Sequence, residues 1–472
     1  MERDILFEDI SIHDRYRFEI KINLIQDYDG DHIFEYYFFL PSSLNISYLT
    51  YSKEQFYSSI QRYLRYLAPR MGVEELFNPS NELSPYIRLL KMLDDFKEKN
   101  DIYLEEAIVD EIKMMASILK ERITETVSED GFDSSVSDII FIKSAAFEAF
   151  SQLRKKIASF RYSQNILNAF RNADDYITLI LMESVANLLD KNKDIKPAIK
   201  SSLLSLAHEL YSYRRAYGYS YPDEKDFDYF LYYRGVLKKF ISSCLFLNTE
   251  PAFNIYNHIA SSIASAVAML FAVVVTLYAQ QRYSFTSAVF VVIAVISYVF
   301  KDRIKEFSKF LFVKKAGSII YDRKIKITEP IHGAYIGYIK EAFFITSPDR
   351  LDVDILKQRR EIQLTVGEIT PDTVLKYKKI VRINSKKIKM YHTRRHDLVD
   401  IMRFSIYDFL KHSDDEALKY YIYCDNAFKV DNLSKNYILN FIVRYFHKNS
   451  GVFYDRHRIV FNRSGIIKIE KI

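Results

Sequence analysis

Two neighbouring apolar runs restrict what this chain can fold into more than any other feature. The first covers residues 259–279 and the second covers residues 283–300, and neither contains a charged side chain. As helices rising about 1.5 Å per residue, they would measure roughly 32 and 27 Å, close to the hydrocarbon thickness of a bilayer. We therefore predict a transmembrane helical hairpin over 259–300, with spans 259–279 and 283–300.

A buried helical hairpin inside a soluble core is the competing interpretation of the two runs. Helices in soluble cores usually keep a polar stripe along their exposed edge. Neither run has a charged stripe, and the serines and threonines within them can bond back to their own helix. The pattern therefore favours lipid as the surroundings, and membrane lipid is the first predicted partner.

Small residues recur every four positions along the first run, at Ala260, Ala264, Ala268 and Ala272. Such a row allows a second helix to approach closely. The approaching helix is either the second run or another copy of the chain, which would make a homo-oligomer. Alanine tolerated on a lipid-facing helix explains the row equally well.

Basic residues flank the hairpin on both sides, while its short turn contains only Arg282. This asymmetry predicts that both termini are cytoplasmic in a two-span, multi-pass protein, which we expect in a membrane of the bacterial inner-membrane type. The cations that directly follow the second run are expected at the membrane surface, where they would meet anionic head groups. These residues are Lys301, Arg303, Lys305 and Lys309. Ordinary topogenic charge without a specific lipid is an equally good explanation.

Charge divides unequally about the hairpin, although the whole chain of 472 residues carries only +6. From Lys301 onward there are 35 Lys+Arg against 21 Asp+Glu, a net of +14, and the preceding part has a net of −8. An acidic part and a basic part indicate different partners for each. We expect a protein partner for the acidic part.

Hydrophobic periodicity predicts an α-helical region followed by an α+β region. Residues 1–50 form a small N-terminal β region, with alternating strands at 15–25 and 32–40 joined by a tight Asp-Gly hairpin turn. Residues 51–250 form a cytosolic helical bundle, in which Ile108, Ile112, Met115 and Leu119 share one helical face. Residues 301–472 form a basic cytosolic α+β domain.

Within the C-terminal region, strand-like and helix-like runs alternate. The predicted strands are 318–328, 334–346, 377–391, 419–424 and a closing pair with a turn at Asn462–Gly465. The predicted helices are 350–360, 397–411 and 435–447. Asp397 would then cap the second of these helices.

The densest basic stretch of the chain lies at 376–396 and predicts an anion-binding face. Its cations would bind the phosphates of a lipid or nucleotide, with nucleic acid less favoured. The candidate residues are Lys378, Lys379, Arg382, Lys386, Lys387, Lys389, Arg394 and Arg395. A solvated edge strand, in which lysines block unwanted pairing, is an equally good interpretation.

Motifs of the common enzyme classes are absent from the sequence, so no catalytic residue, metal or cofactor is predicted and enzyme activity is left open. His392, His396 and Asp397 resemble a metal-binding cluster only in composition. Cys244 and Cys424 are expected to be buried, reduced thiols.

These features favour an integral membrane protein with two cytosolic domains that acts as an interaction or scaffold protein. The helical bundle would recruit a protein partner, and the basic domain would contact an anionic ligand or lipid. The alternative is a membrane-tethered enzyme or sensor for a phosphate-bearing ligand in the C-terminal domain.

Overall fold

A computed structural model describes most of the chain. It covers residues 7–24, 30–99, 101–128, 132–191, 195–220, 227–252, 255–284, 287–315, 321–330, 332–360, 372–391, 397–413, 418–424, 427–433, 435–447 and 451–472. The fold mixes helix and sheet, as predicted. The helices are α1 Lys53–Ser58, α2 Val73–Phe77, α3 Pro85–Lys99, α4 Ile102–Ser128, α5 Phe132–Ala158, α6 Gln164–Lys191, α7 Pro197–Ala216, α8 Phe227–Ser242, α9 Ile255–Arg282, α10 Ala288–Lys315, α11 Val353–Arg360, α12 Ser385–Tyr391 and α13 Tyr407–Leu410.

The strands form two antiparallel sheets and a two-stranded ribbon. They are β1 Phe7–Asp14, β2 Arg17–Leu24, β3 Gly30–Pro41, β4 Ile60–Tyr66, β5 Asn248–Pro251, β6 Arg323–Thr328, β7 Tyr335–Thr346, β8 Asp372–Ile383, β9 Leu398–Ser405, β10 Leu418–Cys424, β11 Ala427–Leu433, β12 Tyr437–His447, β13 Gly451–Asn462 and β14 Gly465–Lys471. The small sheet has the order β1-β2-β9-β4, and the large sheet has the order β14-β13-β12-β3-β8-β7-β6-β5.

Helices α3 to α8 pack together around α4 and α6. The predicted apolar face of α4 is confirmed, because Ile108, Ile112, Met115 and Leu119 are all fully buried. Buried charge inside the bundle is paired: Arg214 on α7 bonds the carboxylate of Asp175 on α6 at 2.8 Å. The bundle therefore has its own core, into which polar groups enter with partners.

The sheets cross the boundaries predicted from the sequence. Strand β3, from the predicted region 1–50, lies between β8 and β12 in the large sheet. Strand β2 pairs with β9 along its whole length. The first 66 residues and the last 150 thus contribute strands to the same two sheets.

The hairpin predicted between 15–25 and 32–40 is wrong, although both strands exist. Strand β2 pairs with β1 across a turn at Arg15 and Tyr16, while β3 belongs to the other sheet. Residues 25–29 of the proposed turn lie outside the described part of the chain. The alternating pattern located the strands correctly, but alternation does not identify the partner strand.

Three further predictions of local structure are wrong. Residues 398–405 of the predicted helix 397–411 form β9, so Asp397 does not cap that helix, and 437–447 form β12 rather than a helix. The predicted strand 377–391 ends at Ile383 and continues as α12. Both misassigned strands are buried on both faces, which removes the alternation that distinguishes a strand from a buried helix. The closing turn at 462–465 is confirmed by the β13–β14 pairing.

Helices α9 and α10, which together we name the stem, pack against each other and are inserted between β5 and β6. Strand β5 pairs with β6, and the Ala252 amide donates to the Lys324 carbonyl at 2.8 Å. The chain therefore leaves the large sheet at one strand and returns at the adjacent strand.

Among the described residues, only one helix is long and apolar enough to cross a membrane, namely Ser261–Arg282 within α9. The second predicted span does not qualify, because α10 begins at Ala288 and reaches the charged residue Lys301 after 13 residues. Its length as an uncharged helix is about 20 Å, short of a typical hydrocarbon core.

Aromatic side chains fill the space between the two sheets. Phe38 of the large sheet lies 4.8 Å from Phe404 of the small sheet between ring centroids, and Phe56 of α1 stacks on Phe343 at 3.9 Å. Arg62 of β4 pairs with Glu341 of β7 across the same interior. Lys379 of β8 also crosses it and donates to both oxygens of Asp400 of β9, at 2.5 and 2.6 Å. Both side chains are at least 98 % buried, with relative exposures of 0 % and 2 %.

Removing one member of this pair should destabilise the protein strongly. Lys379→Ala leaves the Asp400 carboxylate buried without its cation, so we expect the free energy of unfolding to fall by about 3–5 kcal/mol. The paired change Lys379→Met with Asp400→Leu removes both charges and should recover most of that loss. Urea unfolding of the full chain in detergent micelles, followed by circular dichroism, measures both.

Lys378→Ala is the control, since this neighbour on the same strand is not fully buried. Its effect is expected below about 1 kcal/mol. Similar losses for Lys378→Ala and Lys379→Ala would contradict a special role for the buried pair.

Candidate functional site

The predicted anion-binding residues are separated by the fold. Lys379 points into the interior, where burial lowers its pKa and Asp400 opposes that shift. Its side chain is fully buried, with an exposure of 0 %, so it is not presented at the protein surface. Lys379 is therefore removed from the predicted site, and Arg394 and Arg395 lie outside the described residues.

Lys378 belongs to a different surface, beside the carboxylate of Glu35. It is paired in register with Glu35 on the neighbouring strand β3. Burial raises the pKa of Glu35, but Lys376, Tyr37 and Arg444 outweigh burial and hold it below its usual range. Lys378 thus contributes to the electrostatic balance around an acidic group.

Arg382 and Lys386 meet at a cavity of about 390 Å³, which we name the β7–β8 cavity. Its lining is uncharged apart from these two cations. The lining residues are Gly30, Tyr335, Ile336, Gly337, Tyr338, Arg382, Ile383, Asn384 and Lys386. Two cations with tyrosine, asparagine and backbone groups form a chemical environment suited to a small anion.

A tight turn positions the cations at this cavity. The Asn384 amide donates to the Ile336 carbonyl at 2.9 Å, and the Asn384 side-chain oxygen accepts from the Lys387 amide at 3.0 Å. Lys387 itself donates to the Tyr335 carbonyl at 3.1 Å. Strand β8 therefore passes directly into α12, and Lys386 is held beside Arg382 rather than projecting from a longer strand.

Little negative charge from the protein opposes the two cations of the cavity. The Arg382 guanidinium lies 3.7 Å from an Asp31 carboxylate oxygen, and both side chains are exposed by 40 % or more. Lys386 is exposed and forms no ion pair with any described residue. Lys389 is exposed on α12 but does not line the cavity.

The cavity lies at the end of the sheet that is remote from the stem. Strand β6 starts at Arg323, next to the Lys324 carbonyl that bonds the Ala252 amide before α9, and ends at Thr328, which pairs with Tyr335 of the cavity. Five residues of strand separate these ends, or about 16 Å. A ligand in the cavity therefore binds at a distance from the point where the stem leaves the sheet.

Most of the large side chains of the stem are exposed. Only 17 % of the apolar window within Ser261–Arg282, the membrane-length segment of α9, is buried. The apolar side chains that are more than half exposed include Met269, Leu270, Val274, Leu277, Val291, Val292, Val295, Val299 and Phe300. Soluble monomers rarely present a continuous apolar surface of this extent.

The alanine row faces the inside of the stem. Ala264 and Ala268 are buried, and the Ala272 carbonyl accepts a hydrogen bond from the Ser297 hydroxyl of α10 at 3.3 Å. The side chain of Ala260 lies outside the description. Helix α10 thus occupies the place of the close-packing partner that the row anticipates.

The predicted membrane-surface cations follow directly on the exposed apolar part of α10. Lys301 lies over the Tyr298 ring at 3.9 Å, and Arg303 contacts Glu306 at 3.5 Å. Lys305 is exposed, whereas the side chain of Lys309 is not among those described. A tyrosine next to a lysine at this boundary is typical of an interfacial anchor.

Sequence reasoning missed the partners of the two cavity cations. Tyr335 and Tyr338 reach the site because Tyr338 pairs with Arg382 across β7 and β8. Gly337 carried a signal: its neighbour Arg382 approaches so closely that an added Cβ would lie 2.2 Å from the Arg382 carbonyl oxygen. The predicted reduced thiols are both free, but only Cys244 is buried and Cys424 is exposed.

In the part of the chain that the structure describes, no group of three or more His, Cys, Asp or Glu side chains is placed to hold a metal ion. His392 and His396 are not among the described residues.

Comparison with known proteins gives no relative from which a role can be transferred: no family model, no curated protein and no solved structure matches the chain. The residues themselves are therefore the basis for a functional conclusion.

The close approach at Gly337 provides a test of the cavity wall. Gly337→Ala should lower the free energy of unfolding by about 1–3 kcal/mol, because the added methyl group overlaps backbone that cannot move aside. Gly235→Ala is the matched control, since nothing lies within 4 Å of its added Cβ in α8. That change should stabilise the helix by about 0.5–1 kcal/mol. Thermal unfolding of both variants gives the comparison, and equal behaviour would refute the close packing of β7 on β8.

Proposed function

We propose that this chain is a membrane-anchored binding protein, in which the stem holds a two-sheet and helical body at one face of a bilayer. The body binds an anionic, phosphate-like ligand in the β7–β8 cavity. The exposed apolar surface of the stem is the observation that supports anchoring most directly.

The position of the stem between paired strands restricts how it crosses a bilayer. Its two ends are attached to β5 and β6, which are hydrogen-bonded neighbours. Both ends must therefore be on the same side of the membrane, so the stem crosses either twice or not at all. Because α9 is long enough to cross, two crossings follow if α9 is inserted.

Helix α10 would make the return crossing in spite of its short apolar part. Its first 13 residues provide about 20 Å, and Lys301 can extend its ammonium group towards the interface. A short span is accommodated by local thinning of the bilayer at modest cost. The flanking cations support a position of the body on the cytoplasmic side.

A soluble anion is the preferred occupant of the β7–β8 cavity, since the cavity lies at the stem-remote end of the sheet. A phosphate-bearing lipid head group has the same chemistry, and the membrane-surface cations Lys301, Arg303 and Lys305 remain its proposed contacts. The proposal includes scaffolding as well as ligand sensing, and it names no reaction.

A protein partner on the bundle remains part of the proposal. Its support is a set of large apolar side chains exposed along α8, consisting of Phe227, Tyr229, Leu231, Tyr232 and Val236. Exposed aromatic residues are enriched at protein interfaces. Since α10 occupies the alanine row, a second copy of the chain would bind elsewhere on the stem.

Membrane topology is tested by labelling single cysteines. In a Cys424→Ser background, Ser284→Cys marks the stem turn, and Glu250→Cys and Lys324→Cys mark its two bases; all three positions are exposed. A membrane-impermeant maleimide is added to sealed vesicles of one orientation and, separately, to sealed vesicles of the opposite orientation. We expect positions 250 and 324 to react in one of these preparations and position 284 in the other.

Reaction of all three positions from the same side would show that the stem does not cross. Reaction of positions 250 and 324 from opposite sides would contradict the β5–β6 pairing.

Anion binding is tested with inorganic pyrophosphate and the full chain in discs of zwitterionic lipid. Arg382→Gln and Lys386→Gln should each weaken binding by about tenfold or more, the loss expected for one charge-assisted contact. Lys389→Gln is the control on the same short helix, outside the cavity lining, and should bind like the parent protein. Titration calorimetry measures the dissociation constants.

Discs that also contain an anionic phospholipid distinguish the two sources of phosphate. Unchanged affinity for pyrophosphate supports a soluble ligand, whereas competition by the lipid would assign the cavity to head groups. No binding by the parent protein in either disc would rule out the anion site.

A further inference from the structure

A second, larger cavity lies between the helical bundle and the small sheet. It has a volume of about 490 Å³ and receives side chains from α4, α6 and α8 on one side and from β2 and β4 on the other. An adjoining cavity of about 290 Å³ shares three residues with it, namely Lys120, Tyr176 and Lys238. We name the combined space the bundle–sheet groove.

Unpaired positive charge is concentrated in this groove. Arg65, Arg70 and Lys238 line it, and none of them forms an ion pair with a described residue. Arg65 is half-buried on β4, and Arg70 and Lys238 are exposed. Cations that converge on a cavity without an anionic partner favour the binding of an anionic ligand there.

The acidic residues of the groove are largely occupied. Glu121 accepts from Lys120 at 2.9 Å, and Glu125 accepts from Arg122 at 2.8 Å. Glu183 is held by Arg234 at 2.5 and 2.7 Å. Asp397 is the remaining carboxylate in the lining, and it is exposed at the rim. With Lys191 of the adjoining cavity, four cations that form no ion pair with a described residue stand against one such carboxylate. This excess of positive charge suits a phosphate monoester.

Lys238 has a central place in this arrangement, because it lines both parts of the groove. Burial lowers the pKa of Lys238, and the neighbouring charges of Arg234, Lys120 and Arg403 lower it further, while Glu19 alone opposes them. A phosphate placed among these cations would relieve their mutual repulsion.

The remaining walls are suited to an organic group. Leu67, Pro69, Met71, Leu245 and the buried ring of Tyr176 contribute apolar surface. Sites for small molecules commonly combine such walls with a few convergent polar groups, in volumes of about 300–1,000 Å³. We propose that the bundle–sheet groove binds an organic phosphomonoester, with the phosphate at Lys238 and Arg65 and the organic part against Tyr176.

A local fluorescence reporter tests the proposal independently of the β7–β8 cavity. The sequence contains no tryptophan, and Leu83 is an exposed residue of the groove lining. In full-length Leu83→Trp protein, nucleoside monophosphates at millimolar concentration should produce a saturable change in emission. The matching nucleosides, which lack phosphate, should produce none.

Substitutions then locate the phosphate. In the Leu83→Trp background, Lys238→Gln and Arg65→Gln should each raise the dissociation constant by about tenfold or more. Lys239→Gln is the matched control, because Lys239 is the adjacent exposed lysine of α8 and does not line the groove. Circular dichroism checks that each variant is folded. Lys386→Gln should leave this signal unchanged, which separates the groove from the β7–β8 cavity.

The pH dependence provides a further readout. Because the pKa of Lys238 is lowered, affinity should fall with rising pH sooner than an ordinary lysine would allow, and Lys238→Arg should extend binding to higher pH. Absence of a saturable signal, equal binding of nucleosides, equal losses for Lys238→Gln and Lys239→Gln, or loss with Lys386→Gln alone would each overturn the proposal.

Discussion

Antiparallel pairing of β5 with β6 is the constraint on which the arrangement of this protein depends. It joins residues on either side of the stem, so that a long apolar insertion begins and ends at one edge of a sheet. The Leu247 amide also donates to the Leu64 carbonyl of β4 at 2.9 Å, which links the same edge to the small sheet. Without this pairing, no strand contact would hold the residues before the stem next to the residues after it at the point where the stem leaves the sheet.

Both sheets combine strands from the beginning of the chain with strands from its end, and this joins the two parts into one folded unit. The large sheet places β3 between β8 and β12, and the small sheet places β2 beside β9. Aromatic packing and the Lys379–Asp400 pair then connect the sheets across their shared interior. Such long-range pairing is slow to form because distant segments must meet first. The acidic and basic parts of the sequence are therefore built into one framework rather than into two independent domains.

The two basic cavities differ in the way their charge is presented. At the β7–β8 cavity, a glycine and a tight turn bring the exposed residues Arg382 and Lys386 together. In the bundle–sheet groove, Lys238 and Arg65 come from distant elements and line one cavity only because the bundle packs on the sheet. The first site depends on local geometry, and the second depends on tertiary packing. A ligand in the groove would bridge α8 and β4. Helix α8 shortly precedes β5, the strand that leads into the stem, and β4 is hydrogen-bonded to Leu247 directly before β5.

The sequence alone determined the local patterns: the apolar stem with its alanine row, the long bundle helices such as α4, and most strands that have one polar face. These follow from periodicity within a few residues of chain. The tertiary structure decided which strands are partners and that 398–405 and 437–447 are buried strands. It also decided that Lys379 forms an interior ion pair, whereas Arg382 and Lys386 share a cavity. Residues buried on both faces lose the alternation that reveals a strand, and a lysine in a basic run carries no local sign of whether it points towards water or towards an aspartate from another sheet.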